Sequence, residues 1–192
     1  MHPTLRLPPI DTPRNPFVRL AFWLVKRRLG KVITPWRVLF ARVPQAIPMQ
    51  LALYWAMERL PLDHDLQLLV QMRTALANQC HFCIDIGRAI ALQRGGTLEK
   101  LDAVADWRTD PRFTERERAA LAYVEAASDP RGVPDETFAA LRRHFDDREI
   151  AAITWINAVE TYFNRLNTPL GIGSDGLCLL PAPQPAAAGT AA

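Results

Sequence analysis

The chain predicts an all-α fold, a compact bundle of about six to eight helices. Three observations carry that expectation. Glycine is scarce, at 9 of 192 residues, while Ala, Leu, Arg and Glu dominate the middle of the chain. Apolar residues recur at helical spacing, between capping signals. No segment alternates apolar and polar residues for long enough to make a strand.

Residues 1–16 hold five of the 16 prolines and read as an extended arm. Phe17, Leu20, Ala21, Leu24 and Val25 then mark one face of a helix that Gly30 ends. A second helical stretch runs from about Pro35 to Leu60, broken near Pro44 and Pro48. Asp63 caps a helix from His64 to Ala77, and a further helix follows Cys80-His81-Phe82-Cys83 and stops at Gly95-Gly96. A short helix begins at Thr97. Thr114 with Glu117, and Asp146 with Glu149, are capping boxes, since each N-cap side chain can bond the amide three residues on while the Glu reaches back. They open helices to about Ser128 and Leu166, and a helix beginning near Pro134 lies between them. Three regions result: a basic arm over 1–34 with one amphipathic helix, a helical domain over 35–175, and an Ala/Pro-rich, disordered tail over 176–192.

The formal charge of +3 hides an asymmetry. Residues 1–42 carry nine basic residues against Asp11 alone, an excess of +8, so the remaining 150 carry −5. Such an arm could meet a membrane surface, an acidic partner or a neighbouring subunit; the plainer expectation is that it packs on its own acidic body. Nucleic acid is not expected, because no recognition motif accompanies the charge. No apolar run reaches the roughly 18 to 20 residues of a membrane span, and residues 1–16 do not read as a signal peptide. A cytoplasmic protein is expected.

Cys80-x-x-Cys83 is the one strong chemical motif. A structural zinc site needs four ligands, and no second pair accompanies this one. Haem attachment needs His after the second cysteine, where Ile84 stands. A thioredoxin site needs a preceding strand, but both flanks are helical. Two readings stay open: a pair of inert buried thiols, or a redox pair. Thiols three apart in the first turn of a helix lie side by side, near free amides and the positive end of the helix dipole, which favour a thiolate. One sulfur can then attack a peroxide and the other condense the sulfenic acid into a disulfide.

The run Leu68-Leu-Val-Gln-Met-Arg-Thr-Ala-Leu-Ala-Asn-Gln-Cys80-His-Phe-Cys83, with Phe163-Asn-Arg-Leu-Asn-Thr-Pro-Leu170 further on, resembles the carboxymuconolactone decarboxylase family, and within it the AhpD-like alkylhydroperoxidase branch. The likeness covers about residues 35–175. It implies helical hairpins, assembly as a homo-oligomer, a peroxide or disulfide substrate and an external dithiol reductant, with no metal or organic cofactor. It also implies Cys83 as the peroxidatic sulfur and Cys80 as its resolving partner. The cysteine pair argues against the lactone-decarboxylating branch. The family's proton relay has a Glu twelve residues before the first cysteine and a His four after the second; Leu68 and Gly87 stand there instead. Neither can carry a proton. His81 is the nearest substitute in sequence and is the expected acid–base partner. Asp85, about 200° round the helix from Cys83, is expected to face away as a solvated carboxylate. Asn157, Glu160 and Asn164 form a polar stripe on an otherwise apolar helix, which could line the cleft near the thiols; the plainer expectation is that it faces solvent. A non-catalytic or redox-sensing protein that kept the fold, or a lactone lyase, are the alternatives.

Overall fold

The computed structural model describes residues 4–179, and among these there is no strand. Eight α-helices follow in order: α1 (Pro16–Leu29), α2 (Ile47–Met57), α3 (His64–Ala77), α4 (His81–Gln93), α5 (Glu99–Asp102), α6 (Glu115–Ala127), α7 (Asp135–Arg142) and α8 (Asp147–Asn167). The start signals act as expected. Asp63 Oδ1 accepts from the Leu66 amide at 2.8 Å, and both capping boxes, Thr114 with Glu117 and Asp146 with Glu149, are formed. Gly30 takes the left-handed conformation at φ 79° that closes α1. Pro48 does not break α2. It sits in the helix's first turn, where its missing N–H costs nothing, so the interruption lies earlier, in a π-helical segment Trp36–Phe40 and a 3₁₀ turn Pro44–Ala46.

Helix α3 is the hub, packing against α4, α6 and α8. One side buries Leu66 and Val70 with Leu141, Ile153 and Ile156 from α7 and α8. Another buries Leu68, Leu69 and Met72 with Leu101, Val104 and Trp107. Ala75, near its C-terminal end, joins the cluster that holds both cysteines, Trp36, Phe40 and Phe22.

The arm from Thr4 onward lies on the body of its own chain. The Arg6 amide donates to the Leu170 carbonyl at 3.0 Å and the Ile10 amide to the Arg37 carbonyl at 2.9 Å. Gly171, at φ 66°, permits this contact, because a Cβ there would lie 2.1 Å from the Thr4 carbonyl oxygen. The buried face of α1 differs from the expected one. Val18, Ala21 and Phe22 are buried, whereas Phe17, Leu20 and Leu24 are exposed. The helix is apolar over most of its circumference, so periodicity alone does not select the inward stripe. At the other end, residues 177–179 form a 3₁₀ turn packed on α4. The remainder of the expected tail, 180–192, lies outside the described residues.

Candidate active site

The turn between α3 and α4 places the cysteine pair. Gln79 adopts φ 53°, the Gln79 amide donates to the Leu76 carbonyl at 3.1 Å, and the Cys80 amide donates to the Ala75 carbonyl at 2.9 Å. This is a Schellman closure of α3, built with Gln at the left-handed position where glycine is usual. Cys80 ends that motif and is also the N-cap residue of α4, its carbonyl accepting from the Ile84 amide at 3.0 Å. No residue of freedom is left between the helices, so the backbone of Cys80 is fixed by two helix ends at once. Cys83 follows in the first turn of α4. Both thiols are free and buried. The amide of Asn167, at the end of α8, donates toward both sulfurs, 3.5 Å from Cys83 Sγ and 4.0 Å from Cys80 Sγ.

A cavity of about 80 Å³ opens beside the pair. Cys83 lines it and Cys80 does not. Its walls are mostly hydrocarbon, among them Trp36, Phe40, Phe82 and Phe163, with Gln50, Tyr54, Gln71, Glu160 and Asn167 as the polar groups. Glu160 is 5% exposed, and its carboxyl faces the Cys83 thiol. Burial pushes its pKa up to about 7, against the opposing pull of the Asn164 amide and the Cys83 thiol. The Asn164 amide donates to Glu160 Oε1 at 2.7 Å, and the Asn78 amide donates to Asn164 Oδ1 at 2.9 Å. Two amides in series thus hold the carboxylate in place from the α3–α4 turn. The Tyr54 hydroxyl lies inside the site although 39% of the residue is exposed, and burial raises its pKa to about 12.

The two thiols titrate as a pair. Cys80 is held below the ordinary thiol value, first by the Cys83 thiol donating to it, against burial, with the Cys83 backbone N–H and the Asn167 amide assisting. Cys83 is pushed up, first by its donation to Cys80, then by burial and by the charge of Glu160. One proton leaves the pair easily and the second with difficulty, because a lone thiolate is stabilised by its neighbour's S–H and two adjacent thiolates are not.

Of the residues expected at the site, the structure brings Cys80 and Cys83 together and leaves His81 outside. His81 is the first residue of α4, exposed, and absent from the cavity wall. Helical geometry turns its side chain away from the residue two positions on. Of the relay positions, Leu68 is 6% exposed in a cluster of apolar side chains that includes Met72, and Gly87 is half-buried, with Met72 Cε 3.3 Å from where its Cβ would stand. The polar stripe on α8 does not face solvent. Asn157, Glu160 and Asn164 are all buried, the first accepting from Thr74 Oγ1 at 2.9 Å and the last supporting the Glu160 carboxylate. Asp85 faces away from the cavity as expected, but it is buried rather than solvated. It accepts backbone N–H bonds from Asp175, Leu177 and Cys178 at 2.8, 3.0 and 3.2 Å, which explains how the turn at 177–179 is held. Gln50, Tyr54 and Asn167 are site residues to which the sequence assigned no role, and Glu160 lines the cleft where solvent was the plainer expectation. The one available signal was a carboxylate on an otherwise apolar helical segment.

Comparison with known proteins agrees with this architecture. The family model described as carboxymuconolactone decarboxylase matches residues 45–126. The protein YnjA of Escherichia coli strain K12 is 36% identical over 179 residues, which is 91% of this chain and 97% of YnjA. Among solved structures, ATU0492 of Agrobacterium tumefaciens, a protein of unknown function named as a candidate AhpD antioxidant-defence protein, is 30% identical. It superposes with a TM-score of 0.67 over 72% of this chain and 97% of its own. The alkylhydroperoxidase AhpD core of a peroxidase-related protein from Ralstonia eutropha JMP134 is 25% identical, with a TM-score of 0.77 over 94% and 97% of the two chains. With a relative so close across nearly its whole length, and with the helical hairpin and cysteine pair of the AhpD-like branch in place, the chain belongs to the carboxymuconolactone decarboxylase family.

Proposed function

We propose that the protein is a thiol-dependent peroxidase and disulfide oxidoreductase in which Cys83 is the peroxidatic sulfur, Cys80 the resolving one, and Glu160 the acid–base group that the family places elsewhere. The observation that carries this reading is the division of labour between the sulfurs. Cys83 lines the cavity with the Glu160 carboxyl facing it, while Cys80 lies behind, at the N-cap of α4. A carboxyl with a pKa raised to about 7 can both take and give a proton near neutrality.

In the proposed cycle the proton that the pair loses readily goes to Glu160, and the Cys83 S–H, which donates to Cys80, passes its proton to the Cys80 sulfur. The Cys83 thiolate, now steadied by the Cys80 S–H, attacks the terminal oxygen of a hydroperoxide. The O–O bond breaks. The leaving alkoxide takes the proton back from Glu160 and departs as an alcohol, and Cys83 becomes a sulfenic acid. The Cys80 sulfur then attacks Cys83 Sγ; a disulfide forms and water leaves. An external dithiol reduces that disulfide by exchange and is itself oxidised. The Asn167 amide steadies negative charge on either sulfur. Recharging by a dithiol suits the cytoplasm. The homo-oligomer belongs to the same reading. Phe17, Leu20, Trp23 and Leu24 on α1, with Leu51 and Trp55 on α2, leave apolar surface exposed that a second copy would cover.

The test is turnover of tert-butyl hydroperoxide with dithiothreitol as reductant. Cys83→Ser should abolish it, and Glu160→Gln should lower kcat/KM on the order of 100-fold. Turnover that survives Cys83→Ser would overturn the assignment. The non-catalytic alternative draws only on the apolar packing at Leu68 and Gly87. It predicts no turnover in any variant, wild type included.

A further inference from the structure

Gln50 is a polar side chain that the proposed cycle does not use. It lies on α2, is 1% exposed, and lines the cavity into which Cys83 faces. Its carbonyl Oε1 is buried with no hydrogen-bond partner among the described residues. Its amide end lies toward the Tyr54 hydroxyl and opposes the rise that burial gives the Tyr54 pKa. A buried carbonyl without a donor bears the full cost of its desolvation. Such a group is retained at a cavity wall where something arriving in the cavity supplies the missing N–H or O–H. None of the polar groups on the same wall, Tyr54, Gln71, Glu160 and Asn167, bonds to Oε1, and Phe40, Ile86 and Phe163 have no donor to give.

We propose that Gln50 Oε1 is the substrate's hydrogen-bond acceptor, so that the site selects small apolar molecules carrying one O–H or N–H group on the part that meets Cys83. This rests on the peroxidase reading only for what happens next. For a hydroperoxide, the terminal O–H donates to Gln50 while the same oxygen receives the Cys83 thiolate. The O–O bond then points away from the sulfur, with the departing alkoxide toward Glu160. A dialkyl peroxide has no such hydrogen and is excluded from productive placement. Gln50 is thus a positioning and specificity residue that touches substrate, in a site whose walls are otherwise mostly hydrocarbon.

The experiment separates this proposal from the chemistry by measuring binding in a Cys83→Ser background, where no turnover occurs. Phenol and toluene serve as probes of nearly equal shape, one with a donor and one without, and tryptophan fluorescence reports occupancy because Trp36 lines the cavity. Replacing Gln50 by Met, which has similar length and no acceptor, should weaken phenol binding about tenfold and leave toluene unchanged or slightly tighter. Gln50→Met should also keep or raise the melting temperature, since it removes an unpartnered buried carbonyl. Equal losses for both probes, a phenol affinity indifferent to the substitution, or no binding of either probe at millimolar concentration would each overturn the proposal. A melting temperature that falls steeply would do so as well, by showing that Gln50 serves the fold. In the otherwise wild-type enzyme the same substitution should raise KM for tert-butyl hydroperoxide about tenfold with kcat little changed. If turnover fails everywhere but the phenol preference holds, the peroxidase reading falls and the ligand-selection proposal stands.

Discussion

Glu160→Gln offers a direct view of the site's electrostatics, because the substitution is nearly isosteric and removes a single titration. The carboxyl is buried, and its pKa rises from the usual 4.5 to about 7, chiefly through burial. Between those two pH values the folded protein holds a proton that the unfolded chain has released. Stability attributable to this group is therefore intact below about pH 4 and is lost as pH rises through 7. The gap of about 2.5 pH units corresponds to about 3 kcal/mol, an order-of-magnitude figure, fully developed above pH 7. Gln keeps the shape and can still accept from the Asn164 amide, but has no charge to desolvate. At pH 8 the variant should accordingly be the more stable protein by up to about 3 kcal/mol. For a chain of this size that is roughly 10 °C in melting temperature, and the difference should vanish near pH 4. Thermal melts of both reduced proteins across that range, read by circular dichroism, measure it; subtracting one curve from the other cancels the remaining carboxylates. Parallel curves with a constant offset would refute the reasoning, since they would mean that Glu160 titrates alike in folded and unfolded chains. The same substitution should impair turnover, so a gain in stability paired with a loss of activity is the specific signature expected.

Cys80→Ser should leave the first step and remove the second: one equivalent of peroxide is consumed, and a sulfenic acid persists on Cys83 that dimedone traps in a mass spectrum. Gly87→His, which restores the family's residue, should destabilise by about 1–3 kcal/mol in urea melts, because Met72 already fills the space where the ring would lie; adding Met72→Ala should recover part of the loss. Asp85→Ala removes the acceptor of three backbone N–H groups and should cost on the order of 3 kcal/mol, with faster proteolysis near residues 175–179. Burial raises the pKa of Asp85, but the N–H groups of Leu177 and Cys178 prevail and hold it below the usual carboxylate value. Its contribution is present above about pH 4 and lost as pH falls, so wild type and Asp85→Ala should converge in acid melts.

What the sequence determined by itself is local. Asp63, Thr114 and Asp146 start helices because each bonds an amide three residues along, a distance the chain covers without tertiary help. The cysteine pair is likewise legible, since spacing three in a first helical turn brings sulfurs together whatever surrounds them. The identity of the acid–base group was not legible. His81 lies nearest Cys83 along the chain but projects from the exposed side of α4, while Glu160 is 77 positions away and reaches the thiol only because α8 crosses the α3–α4 turn. A polar stripe on an apolar helix reads the same whether it meets water or a cleft, and only packing chooses between them. That choice, made by α2 and α8 closing over one end of α4, sets the dielectric around Glu160 and the unpartnered carbonyl of Gln50, and with them the chemistry available to Cys83.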